Sequence, residues 1–90
     1  MMLVEIYTKS WCSYCRMAKV LLDRLRITYR EIEITGDAEK EKEMIERAGR
    51  RSVPQIFINN RAIGGFQELS RLAASGEINT LVNDTPEEKS

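Results

Sequence analysis

A chain of 90 residues suits one domain with a modest core, since a protein this short buries only about 60–65% of its unfolded surface. Its 14 basic and 14 acidic residues cancel to a formal charge of zero, so nothing in the balance draws it to nucleic acid or an anionic membrane. Histidine is absent, which excludes a histidine base and any zinc site that needs imidazole, and two cysteines are too few for a disulfide-stapled secreted domain.

Residues 3–8 read as a strand, with Val4 and Ile6 alternating against Glu5 and Tyr7. Lys9, Ser10 and Trp11 form a loop. From 13 to about 26 the pattern is helical, with Met17, Ala18, Leu21, Leu22 and Leu25 on the apolar side and mostly charged residues elsewhere. Residues 27–34 give a second strand, which Gly36 breaks. Asp37 caps a helix over 38–48 that Gly49 stops. The Glu/Lys alternation of 39–43 predicts a solvated helix face laced with i,i+4 pairs. A loop over 50–54 leads into a strand at 55–58, a tight Asn59-Asn60 turn and a return strand at 61–63. Gly64-Gly65 ends this hairpin, and helical turns follow at 67–74 and 78–82, divided by Gly76. The domain is expected to fill residues 1–83, leaving 84–90 as a polar tail. The first β-α-β unit requires a right-handed crossover and a parallel pair, while the hairpin adds antiparallel strands, so the fold class is α/β with a mixed sheet and helices on its faces.

The stretches at 1–4 and 20–22 are far too short to cross a bilayer. The N-terminus also lacks the basic start, apolar stretch and cleavage site of a signal peptide, so a cytoplasmic protein is expected. In a reducing compartment two cysteines three positions apart point to a functional pair. Cys12 falls between the first strand and first helix, and Cys15 one turn along it. A free thiol, with pKa near ~8.5, is a poor nucleophile at neutral pH. Unpaired N–H groups and the dipole at a helix start favour the thiolate, and Lys9 adds a cation nearby. Cys12 is therefore the expected nucleophile and Cys15 the resolving thiol. A zinc ribbon is excluded, because no second pair or histidine completes four ligands.

These landmarks, Tyr7-Thr8-Lys9 before Trp11-Cys12-Ser13-Tyr14-Cys15, then Ser52-Val53-Pro54-Gln55-Ile56-Phe57-Ile58, then Ile63-Gly64-Gly65-Phe66, make the chain resemble a glutaredoxin over about residues 2–82. The resemblance implies a thioredoxin-like fold with a four-stranded sheet in the order 2-1-3-4. It implies a monomeric, glutathione-dependent oxidoreductase acting on disulfide-containing or glutathionylated proteins. It also implies a cis peptide before Pro54, with the Val53 backbone turned to the cysteinyl part of glutathione. Lys9 would meet the glycyl carboxylate, and Tyr14 would pack beside the disulfide. Gly65 and the helix start at Phe66, Gln67 and Glu68 would receive the γ-glutamyl end. Relatives often have proline where Ser13 stands and aspartate near Gln67 and Glu68, which leaves open how the γ-glutamyl amine is met. Some relatives with this Trp-Cys-Ser-Tyr-Cys form can hold a [2Fe-2S] cluster between two subunits, through the first cysteine of each and two glutathiones. A dimeric, glutathione-ligated cluster carrier or sensor using Cys12 is thus the alternative reading. Arg47, Arg50 and Arg51 form a basic cluster that either steers an anionic substrate or is simply solvated.

Overall fold

A computed structural model describes residues 3–83, so the expected 84–90 tail lies outside the described residues. β1 (Val4–Thr8) runs through the middle of the sheet and is buried along its whole length. It pairs in parallel with β2 (Arg30–Glu33), bringing Ile6 opposite Glu31, and antiparallel with β3 (Gln55–Ile58), bringing Ile6 opposite Ile56. β4 (Arg61–Gly64) returns against β3 through Asn59 and Asn60, whose φ values of 50° and 69° are those a two-residue hairpin turn needs. The order is β2-β1-β3-β4, as the resemblance implied.

Side chains on a strand alternate between faces, so the central strands supply two cores. Val4, Ile6, Ile56 and Ile58 meet Ala18 and Leu22 of α1 (Ser13–Arg24), Leu69 of α3 (Phe66–Ser75), and Ile78 and Val82 of α4 (Glu77–Asn83). On the opposite face Tyr7 and Phe57 meet Ile34 and Met44, the latter from α2 (Ala38–Ala48). Asp37 caps α2 by accepting the Lys40 N–H at 3.0 Å, and Gly49 stops it with a φ of 72°.

Three expectations shift. α1 ends two residues early, where Arg26 turns left-handed at φ 59° and the Ile27 N–H reaches back to Leu22 O at 2.9 Å. β2 is correspondingly shorter than 27–34. Met17 is not in the core: the buried stripe is Cys15, Ala18 and Leu22, and at about 100° per residue Met17 lies well round the helix from it.

Candidate active site

The turn after β1 delivers the cysteine pair. Cys12 is the N-cap residue of α1, extended at φ −94° and ψ 114°, and Cys15 lies in the first turn. The Cys15 backbone N–H donates to Cys12 Sγ at 3.1 Å, so the sulfur takes the place of the oxygen that usually caps a helix. Both thiols are free. Cys12 keeps 9% exposure and Cys15 only 1%. Burial, and then the hydrogen bond with Cys12, push the Cys15 thiol up to about 12. Cys15 therefore holds its proton at neutral pH, and the two sulfurs are chemically unequal.

Cys12 Sγ also lies 3.7 Å from the Val53 carbonyl oxygen, and the Val53–Pro54 peptide is cis, as expected. Beside them opens a cleft of about 260 Å³. Arg50, Ser52, Val53 and Pro54 form one wall, and Gly65, Phe66, Gln67 and Glu68 the other. Tyr14 completes the lining, its ring centroid 6.1 Å from that of Phe66. Eight residues singled out in the sequence thus converge on one cleft next to Cys12.

Gly65 is what lets these walls approach. A methyl group on Gly65 would sit 3.3 Å from the Pro54 carbonyl oxygen. Gly64 has φ +117°, and a methyl there would sit 2.8 Å from Glu68 Cδ. Glu68 Oε1 accepts the Gly65 N–H at 2.8 Å, the return half of a capping box, and its Oε2 lies 3.4 Å from Arg50 Nη1. The Gly65 hydrogen bond is the main reason its carboxyl stays below the usual range. The start of α3 thus already holds a carboxylate of the chain itself.

Lys9 does not join this cleft. It lines a separate depression with Trp11, Thr35 and Glu41, its Nζ 3.6 Å from Glu41 Oε2 and 5.5 Å from the Trp11 ring centroid. Of the three arginines only Arg50 lines the cleft. Arg47 turns to the α2 side of the sheet, where it bonds Glu5 and Tyr7. Ser52 lines the cleft although sequence reading assigned it no role; its one signal was its place in the motif ending at Pro54.

The family model for glutaredoxins matches residues 4–63, a span that includes both cysteines and the cis-proline turn. The chain belongs to the glutaredoxin family. Glutaredoxin 3 of Escherichia coli K12 is 48% identical over 79 residues, covering 88% of this chain and 95% of its own. The solution structure of glutaredoxin from Brucella melitensis matches with a TM-score of 0.81 at 40% identity, over 91% of this chain and 89% of that one. A crystal structure of a buckwheat glutaredoxin–glutathione complex matches with a TM-score of 0.81 at 26% identity, over 91% and 77%. The fold is thus thioredoxin-like, and the activity is that of a glutaredoxin, thiol-disulfide oxidoreduction. No helix is long and apolar enough to cross a membrane among the described residues. Nor do these residues contain a group of three or more His, Cys, Asp or Glu able to hold a metal ion.

Proposed function

We propose that this glutaredoxin reduces glutathione mixed disulfides and protein disulfides at the expense of glutathione, with Cys12 as the attacking sulfur. The observation that carries this reading is the inequality of the pair: Cys12 Sγ caps a helix at the cleft edge, while Cys15 is buried and protonated. Helix N-termini stabilise thiolates. In the first reaction Cys12 thiolate attacks the glutathionyl sulfur of a protein mixed disulfide. The old S–S bond breaks, the protein leaves as a thiolate that takes a proton from water, and a Cys12–glutathione disulfide forms. A second glutathione thiolate attacks the glutathionyl sulfur, giving oxidised glutathione and freeing Cys12. With a protein disulfide, Cys12 thiolate attacks one sulfur and the other leaves as a thiolate that takes a proton from water. Cys15 then loses its proton to water and attacks Cys12 Sγ, releasing the substrate's second thiolate and forming a Cys12–Cys15 disulfide, which two glutathiones reduce to give oxidised glutathione.

Around this chemistry the Val53 backbone pairs with the cysteinyl unit of glutathione as an added strand would, and Tyr14 packs beside the disulfide. Pro54 and Gly65 keep the walls close, and Phe66, Gln67 and Glu68 face the γ-glutamyl end. Lys9, although it lines a separate depression, is assigned to the glycyl carboxylate. The convergence of most of these residues on one cleft supports the assignment, as does the buckwheat relative solved with glutathione.

The test is turnover of a small glutathione mixed disulfide and of a protein disulfide, coupled to glutathione reductase. Cys12→Ser should abolish both. Cys15→Ser should keep deglutathionylation within a few-fold of the native rate and lose the protein-disulfide route. If Cys15→Ser stops both reactions, the division of labour between the sulfurs is wrong.

A further inference from the structure

A second depression, about 510 Å³, runs between α1 and α3 and is not used by any step above. Its floor is apolar: Met17 is 46% exposed, Val20 48% exposed, and Leu21 and Phe66 are half-buried. Contiguous exposed apolar patches are where soluble proteins meet partners, and Met17 and Val20, three positions apart on α1, form such a pair over Leu21 and Phe66. Phe66 lines both this groove and the cleft beside Cys12, and Ser13, the residue after Cys12, lines its near end. The groove is therefore continuous with the place where a substrate disulfide must sit. Its charged lining is Arg16 and Arg24, with no acidic side chain among the described residues that form it.

We propose that this groove docks the stretch of a protein substrate that flanks the reacting cysteine, and that the preferred stretch is apolar with acidic residues. The proposal rests on Cys12 being the attacking sulfur and adds a substrate class to it. α1 is 12 residues, about 18 Å, which an extended segment of about five residues spans. The apolar side chains of that segment cover Met17 and Val20, and its carboxylates meet Arg16 and Arg24. Electrostatic matching of this kind selects partners and speeds encounter more than it tightens binding. Small disulfides reach Cys12 without touching the groove.

The experiment compares two glutathionylated peptides that share one cysteine, carrying either five Leu, Val, Asp and Glu residues or five Ser, Gly and Lys residues beside it, with a small glutathione mixed disulfide as reference. The native protein should turn over the acidic apolar peptide with at least tenfold higher kcat/KM than the basic polar one. Val20→Asp and Arg24→Glu should each reduce that ratio at least fivefold and leave the small disulfide within twofold of native. Arg24→Glu should also restore turnover of an apolar peptide whose acids are replaced by lysines, which a folding defect cannot do. Equal turnover of the two peptides overturns the proposal, and so does an equal loss on peptide and small disulfide. Sedimentation showing a native dimer that Val20→Asp splits, without a peptide preference, assigns the groove to a second copy and overturns it too. A native protein inactive on the small disulfide would overturn the Cys12 reaction itself, and the docking with it.

Discussion

Lys9 sits within 3.6 Å of Glu41, and both side chains keep about a quarter to a third of their exposure (23% and 32%). A substrate carboxylate that approaches Lys9 therefore finds its ammonium partly neutralised. Exposed ion pairs of this kind are worth about 0.2–1 kcal/mol, and 1.4 kcal/mol is tenfold in affinity. Glu41→Gln should accordingly lower KM for a glutathione mixed disulfide by about twofold to fivefold with kcat unchanged, while Lys9→Ala raises it. In a Lys9→Ala background the Glu41 substitution should have no effect. Steady-state kinetics on the four proteins decide it, and a higher KM for Glu41→Gln alone would mean that Glu41 orients Lys9 instead of competing for it. Glu68 shows the same self-occupation at the other wall, on the Gly65 N–H. Neither pairing was legible in the sequence. Both cysteines announce themselves by local spacing and the resemblance supplied the cis bond before Pro54, whereas Lys9 and Glu41 meet only after β1 and α2 are packed on the same sheet.

At the scale of elements, α2 is the instructive case. Its ends were readable because Asp37 and Gly49 carry their own chemistry, a carboxylate that accepts an orphan N–H and a residue at ease with positive φ. Its face was not. The Glu/Lys alternation suggested solvated i,i+4 pairs, yet the one pair the helix makes within itself among the described residues is Lys40–Glu43, at i,i+3. Glu43 accepts from buried Tyr7 Oη, and Arg47 donates to that oxygen at 2.8 Å and to Glu5 at 2.9 Å while lying over the Phe57 ring at 4.0 Å. Glu5, expected on a polar face, is 7% exposed because α2 covers it. α1 was misread at its end for the opposite reason: no glycine or proline marks the stop, which comes from the chain turning to place Ile27 in the core. Arg47 thus anchors α2. Hydrogen bonds to charged groups contribute about 1.5–3 kcal/mol, so Arg47→Ala should cost about 2–3 kcal/mol in urea unfolding. In a Glu5→Gln background the same substitution should cost clearly less, since the stranded carboxylate is gone. Equal costs in both backgrounds would show that packing on Phe57, not the charge pair, holds the helix.

For the molecule as a whole, net charge says little about stability, because the sum of zero hides carboxylates that the fold engages one by one. The strand order was not derivable from spacing either: the crossover rule gave one parallel pair and the hairpin one antiparallel pair, and the resemblance alone joined them with β1 beside β3. Three engaged carboxylates sit in three parts of that sheet-and-helix frame. Glu31 on β2 is held below its ordinary value of 4.5 chiefly by the Thr8 hydroxyl, Glu43 on α2 by the Tyr7 hydroxyl, and Glu68 on α3 by the Gly65 N–H. A carboxyl with a lower pKa folded than unfolded stabilises the fold above its unfolded pKa, and that share is lost as pH falls through the folded value. Unfolding free energy should therefore be level near neutrality and fall once pH drops below 4.5, as the unfolded chain takes up protons that the folded one refuses. Because the three groups belong to separate elements, Glu31→Gln, Glu43→Gln and Glu68→Gln should each make the acid slope shallower by a similar step, and the steps should add. Urea titrations at a series of pH values measure this directly. An acid slope unchanged in all three variants would mean that these hydrogen bonds persist equally in the unfolded chain and do not hold the fold together.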